Sequence, residues 1–394
     1  MLRRHFLRAA AGLAAGAALA APIAAQAQEP FKIGLILPMT GQSSSTGRQI
    51  EAAVKLYMAQ KGDVVAGRKI EVIVKDDTGS ADITKRLAQE LVVNDKANVI
   101  AGFGLTPLAL AAAPIATQAK TPMIVMAAGT AIITEASPFI ARTSFTLPQF
   151  TAPMAEWAAR NGIKKVVTLV SDYAPGLDSA KTFKEVFTAA GGQVLDELRT
   201  PLRSPDFSPF LQKARDLKPD ALFLFVPSGQ GAQLIKQTAE REFDKAGIKI
   251  IATGDVTDDD QLNDMGDVVL GMVNSHHYSA AHDSPENKAY VAAFKAANKF
   301  RPNFMSVGGY DGMHLIYEAL KKTGGKGDGA ALVEAMKGMA WTSPRGPISI
   351  DPRTRDIIQN VYIRRVARGA DGELYNMEFE TVPNVKDPVK EAKK

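Results

Sequence analysis

The sequence alternates short apolar strands with amphipathic helices, and it does so twice along the chain. The first series starts with a strand candidate at residues 31–37, and a second series starts at residues 165–170 after a break near residues 144–148. Short apolar strands separated by helices indicate a parallel sheet that is covered on both faces. The pattern therefore predicts an α/β protein with two similar doubly wound parallel-sheet lobes.

The later part of the chain departs from this pattern. Two helices, at residues 285–300 and 306–322, follow the second series and must pack elsewhere, so we expect them to return to the first lobe across a hinge with several crossings. The expected organisation is a signal peptide (1–27), a first lobe (30–146 plus 278–344), a second lobe (147–277 plus 345–380) and a polar tail (381–394). The basic residues Lys390, Lys393 and Lys394 predict that this tail is a solvated terminus.

The first 27 residues have the pattern of an export signal. Arg3, Arg4 and Arg8 precede an apolar run that ends at Ala25-Gln26-Ala27, a small-x-small cleavage pattern. The arginine pair favours the twin-arginine route, and Leu2 departs from that pattern, so the ordinary secretory route stays open. Because the run is too short for a membrane anchor, we expect a periplasmic protein with no direct membrane insertion after cleavage.

Charge and missing motifs exclude several classes of function. Removal of the leader lowers the formal charge from +5 to +2, which gives no reason to expect a nucleic-acid partner. The chain has no cysteine, so disulfides, thiolate nucleophiles and cysteine zinc sites are excluded. It has no P-loop, dinucleotide fingerprint, nucleophile elbow or zinc-protease motif. We therefore expect no cofactor, no metal and no catalytic residue.

Two runs of potential metal ligands, the acids 258–260 and the pair His276-His277, are not expected to bind a metal. The acids 258–260 are expected near a helix N-terminus, because consecutive acids seldom converge on one cation. His276 and His277 are expected to point to opposite faces of a strand, which is poor geometry for a metal.

Small and polar residues follow the strands, at the edge where open α/β sheets bind ligands. The loop 42–46 is uncharged and rich in hydroxyls, and the loop 127–130 allows a ligand to approach the backbone. Thr106 is expected to be the N-cap before Pro107, where free N–H groups would bind a carboxylate. Tyr173, Ser228 and Asp255 follow strands of the second lobe. Turn and capping chemistry is the competing explanation for single positions.

A series of segments in matching order resembles the leucine/isoleucine/valine-type periplasmic binding proteins from about residue 31 to Phe379. The segments are Phe31-Lys32-Ile33-Gly34-Leu35 running into Met39-Thr40-Gly41, Asp76-Asp77, Thr121-Pro122-Met123-Ile124 before the loop 127–130, Arg142-Thr143, Ser171-Asp172-Tyr173 before Gly176, and Gly309-Tyr310-Asp311. The resemblance implies a hinged two-lobe receptor that captures a small solute and delivers it to an ABC transporter without a catalytic step.

The resemblance also implies site residues. Contacts align near Thr46, at Thr106 and along the loop 127–130, and the acid that binds the amino group in amino-acid receptors aligns with Asp255 or, one residue earlier, with Gly254. The expected ligand-binding residues are Gln42, Ser45, Thr46, Leu105, Thr106, Ala127, Gly129, Thr130, Tyr173, Ser228, Asp255 and Tyr278.

The nature of the ligand stays open at this point. Asp255 favours an amino acid, whereas Tyr173, His277 and Tyr278 are similar to relatives that take aromatic acids. The leading hypothesis is an exported receptor for a small carboxylate, with the permease subunits of an ABC transporter as partners. The alternatives are a ligand-sensing subunit of a membrane signalling system and a cofactor-free α/β hydrolase that uses Asp172, Asp255 and His277.

Overall fold

The computed structural model describes residues 29–203 and 205–393. The expected signal peptide at residues 1–27 lies outside the described residues. Within them the chain forms two β-sheets with helices on their faces, which confirms the α/β fold with two lobes. No helix in the described part of the chain is long and apolar enough to cross a bilayer.

The first lobe contains a six-stranded sheet with the order β2-β3-β1-β4-β5-β6. Its elements are β1 (Phe31–Leu37), α1 (Ser44–Lys61), β2 (Val64–Val65), β3 (Arg68–Asp76), α2 (Ala81–Val93), β4 (Val99–Gly102), α3 (Thr106–Ala119), β5 (Met123–Val125), a 3-10 helix (Ala131–Glu135) and β6 (Ile140–Arg142). Only β2 and β3 pair antiparallel. The central strand β1 is apolar almost throughout because helices cover both faces of this sheet.

The second lobe repeats this arrangement. Its elements are α4 (Leu147–Arg160), β7 (Lys165–Ser171), α5 (Ala174–Ala189), β8 (Gln193–Thr200), α6 (Ser208–Asp216), β9 (Ala221–Phe225), α7 (Gly231–Glu240), β10 (Lys249–Thr253), a 3-10 helix (Leu262–Val269) and β11 (Val273–His276). The order β8-β7-β9-β10-β11 matches the order β3-β1-β4-β5-β6 of the first sheet. In each lobe the strand order reverses beside the first strand, which is where open α/β sheets form ligand crevices.

The rest of the chain serves both lobes. It forms α8 (Pro285–Asn298), α9 (Phe304–Lys322), α10 (Gly329–Met336), β12 (Ala340–Ser343), β13 (Gly346–Ile350), β14 (Ile357–Arg368), β15 (Leu374–Val385) and α11 (Pro388–Glu391). Helix α9 packs along α1, where the ring of Tyr57 makes edge contacts with Tyr310 and Tyr317 at 4.9 and 5.1 Å. Helix α9 therefore lies against α1 of the first lobe.

Two stretches differ from the organisation expected from the sequence. Strand β12 pairs with β13 in the second sheet, although residues up to 344 were assigned to the first lobe. The C-terminal stretch continues β15 and forms α11 instead of a solvated tail, and Lys390 is buried. Its ammonium contacts Asp356 and Thr134, and Asp356 also pairs with Arg142 at 2.9 Å. That buried carboxylate gives Lys390 a partner that the local sequence does not reveal.

A buried ion pair lies where the chain crosses between the lobes. Asp311 of α9 binds the guanidinium of Arg345, with Arg345 Nη2 at 2.6 Å and Nε at 2.9 Å from Asp311 Oδ2. The same guanidinium donates to the carbonyl oxygens of Thr143 and Ser144 and to Gln359 Oε1. One side chain thus holds together the crossing near residue 143, the crossing after α10 and strand β14.

Candidate ligand-binding site

A small cavity lies between the carboxyl ends of the two sheets. Most of the residues predicted from the sequence line it, namely Thr46, Leu105, Thr106, Ala127, Gly129, Tyr173, Ser228 and Asp255. The structure thus brings together loops that are more than two hundred residues apart.

Four predicted residues do not line this cavity. Gln42 lines an adjoining cavity between the lobes. Ser45 donates a hydrogen bond to Asp260 of the second lobe, and the Thr130 hydroxyl contacts Thr106 behind the cavity wall. Tyr278 is fully buried, and its carbonyl oxygen accepts from a guanidinium.

The first-lobe end of the cavity is formed by helix N-termini. Helix α1 starts after Ser43 and α3 starts after Leu105, and both capping residues line the cavity. Thr106 is the first residue of α3, so the expectation that it would be the N-cap was wrong by one position. The dipoles of the two helices make this end attractive to an anion.

The hydroxyl of Thr106 is held by a neighbour. Its Oγ1 lies 2.8 Å from Thr130 Oγ1, and both side chains are buried. When Thr130 donates in this pair, the Thr106 hydroxyl is free to donate to a ligand. Gly129 beside them has to be small, since a Cβ there would lie 2.6 Å from atoms of Phe145 and Leu147.

The second-lobe end of the cavity contains one carboxylate. Asp255 is 3% exposed, and its Oδ2 accepts a hydrogen bond of 2.9 Å from Thr253. His276 Nε2 lies 3.5 Å from the same oxygen, and burial lowers the pKa of this histidine to about 4. Burial, together with the charge of Asp255, raises the pKa of Tyr173 well above its usual value. At neutral pH the imidazole of His276 and the phenol of Tyr173 are therefore both neutral.

Aromatic and apolar side chains form the walls between the two ends, and several were missed at the sequence level. The ring of Tyr173 stacks on Phe225 at 6.1 Å with an interplanar angle of 15°. The wall residues absent from the sequence prediction include Phe145, Leu147, Pro175, Phe225 and Met305. Phe225 ends β9, so the strand-end rule applied to it could have found it. Met305 lies at the start of α9 and has no local signal.

The lobes contact each other around the cavity, and the acids 258–260 take part. Asp260 Oδ2 accepts from Ser45 at 2.5 Å and from Arg48 at 2.9 Å across the cleft. Asp258 accepts from Ser228 and from Asn303, and burial together with Asp260 raises its pKa to about 7.

The acids 258–260 precede the N-terminus of a 3-10 helix, but none of them caps it. Asp259 accepts from Asn376, and the following 3-10 helix has Gln261 as its N-cap. No group of three or more histidine and acidic side chains suited to a metal is found in residues 29–203 and 205–393. These acids serve the contact between the lobes and neighbouring loops.

The sequence profile of the family described as "Periplasmic binding protein" matches residues 30–373. This chain belongs to the periplasmic binding protein family. A relative among periplasmic binding proteins is the Leu/Ile/Val-binding protein homolog 6 of Brucella abortus, which is 43% identical over 91% of this chain and 93% of its own length.

Two solved structures of solute-binding proteins of ABC transporters are similar to this periplasmic binding protein over nearly their whole length. One, from Rhodopseudomonas palustris BisB5 in complex with 3,4-dihydroxybenzoic acid, is 65% identical, has a TM-score of 0.90 and covers 92% of this chain and 99% of its own. Another, from R. palustris in complex with 4-hydroxybenzoate, is 41% identical, has a TM-score of 0.89 and covers 91% and 99%.

Proposed function

We propose that this protein is a periplasmic receptor that binds a small aromatic carboxylic acid and delivers it to the permease of an ABC transporter. The observation that carries the proposal is the cavity itself, which has helix N-termini at one end and aromatic walls beyond them. A flat anionic ring satisfies both features, since its carboxylate accepts from N–H groups and its faces contact Phe145, Tyr173 and Phe225. The complexes of the two similar R. palustris proteins with hydroxybenzoates support this ligand class.

Binding in this receptor consists of capture and closure. The first lobe binds the carboxylate, and the second lobe closes over the ring, after which Ser45 and Arg48 pair with Asp260 across the cleft. The permease then recognises the closed arrangement of the two lobes. No chemical step is needed, so we propose that the ligand leaves unchanged and that the protein is not an enzyme.

The ligand class is tested by thermal unfolding of the mature protein with 4-hydroxybenzoate, benzoate and leucine. We expect both aromatic acids to raise the melting temperature, by linkage worth about 2.7 kcal/mol at one hundred times the dissociation constant. Chromatography after long incubation should recover the acid unaltered. Stabilisation by leucine alone would assign the cavity to amino acids, as the name of the Brucella relative suggests, and a converted product would contradict the receptor function.

Thr106→Val tests the carboxylate end. The substitution keeps the shape of the side chain and removes the hydroxyl, so we expect 4-hydroxybenzoate to bind more weakly by about 1–3 kcal/mol, the cost of leaving a charged acceptor without one donor. Calorimetry measures the change. Thr117→Val is the matched control, because Thr117 lies on the same helix and its hydroxyl contacts Ser137. If the two variants bound 4-hydroxybenzoate with equal affinity, the hydroxyl of Thr106 would make no contribution to binding.

A further inference from the structure

One carboxylate oxygen at the second-lobe end of the cavity accepts no hydrogen bond from the described residues. Asp255 Oδ2 is engaged by Thr253 and lies near His276, whereas no donor among the described residues hydrogen-bonds Oδ1. Asp255 lines the cavity. A carboxylate oxygen in such a place acquires a donor from whatever fills the cavity, because an unpaired buried charge is costly.

A positively charged side chain lies close to Asp255. The guanidinium of Arg364 lies directly beneath the preceding residue, where a Cβ added to Gly254 would be 1.9 Å from Arg364 Nη2. The charge of Asp255 is in turn one of the interactions that raise the pKa of this guanidinium, against the lowering effect of burial. An ionised carboxylate accepts hydrogen bonds and donates none.

This charge fixes the direction in which an aromatic acid lies. A ligand carboxylate is repelled by Asp255 and attracted by the N-termini of α1 and α3, so it occupies the first-lobe end. The ring then extends between the aromatic walls towards the second lobe. Its far edge faces Asp255.

We infer that Asp255 is a specificity-determining residue that accepts a hydrogen bond from a ring hydroxyl of the ligand, at the edge opposite to the carboxylate. The preferred ligand is therefore a para- or meta-hydroxylated benzoate, with benzoate bound more weakly. A hydroxylated acid connects the lobes end to end, from the N–H groups of the first lobe to the carboxylate of the second. This inference rests on the proposed function, because it presupposes an aromatic acid in the cavity.

A carboxylate at position 255 is compatible with an aromatic ligand that carries a hydroxyl group. In an amino-acid receptor the acid would neutralise an ammonium group, and an unsubstituted benzoate would leave it without a donor. A phenolic hydroxyl supplies the donor without adding charge. Hydrogen bonds to charged acceptors are stronger than those between neutral groups, so the hydroxyl contributes substantially to affinity.

The first test uses the unaltered protein and calorimetry. We expect 4-hydroxybenzoate to bind about 10- to 100-fold more tightly than 4-fluorobenzoate, which has a similar shape and no proton to donate. Benzoate should behave like 4-fluorobenzoate. Equal affinities for the three acids would overturn the inference and leave the proposed function standing, whereas no binding of any of them would overturn the proposed function itself.

The second test uses Asp255→Asn, with Asp172→Asn as the control. Asp172 also follows a strand of the second lobe, but it is exposed and outside the cavity wall. We expect the preference for 4-hydroxybenzoate over 4-fluorobenzoate to fall by about tenfold in Asp255→Asn and to stay unchanged in Asp172→Asn. A preference that survives in Asp255→Asn would contradict the assignment.

A spectroscopic readout separates a direct contact from a structural effect. The negative charge of Asp255 disfavours a phenolate beside it, so the hydroxyl of bound 4-hydroxybenzoate should ionise at a higher pH than that of the free acid. Ultraviolet absorbance under saturating protein follows this ionisation. The shift should shrink in Asp255→Asn, and an unshifted phenol in the unaltered protein would overturn the contact.

Discussion

Replacement of Asp311 by asparagine is expected to lower the free energy of unfolding by about 3–5 kcal/mol, because it leaves the buried guanidinium of Arg345 without its countercharge. Both side chains are about 1% exposed. The carboxylate of Asp311 also accepts from Trp341 Nε1 at 3.0 Å and from Ser343 Oγ at 2.8 Å. An amide replaces one acceptor oxygen by a donor, so at least one of these partners loses its bond.

Denaturant unfolding monitored by circular dichroism measures this loss. Glu318→Gln is a suitable control, since Glu318 lies on the same helix and pairs with Lys321 at the surface. Exposed pairs of this kind contribute about 0–1 kcal/mol. Similar losses in the two variants would show that the buried ion pair at the crossings does not hold the lobes together in the way that its geometry indicates.

Acidification from pH 7 to pH 4 is expected to remove about 3 kcal/mol of stability through His276 alone. Burial lowers the pKa of this imidazole to about 4 from an ordinary value of 6.5. His276 is therefore protonated below about pH 6.5 in the unfolded chain, but only below about pH 4 in the folded protein. Because a depressed histidine pKa makes the unfolded state the better proton acceptor, stability is present above pH 6.5 and is lost as the pH falls.

The groups that face His276 act on it in both directions. Burial has the largest effect and lowers its pKa, the guanidinium groups of Arg345 and Arg364 lower it further, and only the carboxylate of Asp255 raises it. Its ring lies 4.5 Å from that of His277, whose pKa is also lowered by burial. The carboxyl of Asp258 works against this trend, since its raised pKa favours the folded state in acid.

A variant isolates the histidine from the other groups. We expect His276→Gln to cost stability at pH 7 and much less at pH 4, because the replaced side chain no longer takes up a proton on unfolding. Chemical unfolding at both pH values provides the difference, and the contribution of Asp258 cancels in it. If the variant and the unaltered protein lost the same free energy of unfolding between pH 7 and pH 4, a neutral His276 in the folded protein would be contradicted.

The repeated alternation of strands and helices was sufficient to predict the main elements of both lobes. The strand at residues 31–37 was predicted with its observed bounds, and the segment 165–170 matches β7 to within one residue. The short strands β2, β6 and β12 were not predicted. His276 ends β11 and His277 follows it, and their rings stack on each other, although the strand pattern predicted that they point to opposite faces.

The sequence alone indicated which loops line the cavity, because small and polar residues at strand ends can be recognised without knowledge of tertiary contacts. Tertiary structure alone decided the rest. Met305 reaches the cavity because α9 returns to the first lobe, and Lys390 is buried because Asp356 offers it an oxygen. The acids 258–260 found partners on other elements for the same reason. A side chain's role depends on which remote groups the fold places within a few ångströms, and sequence periodicity contains no information on that distance.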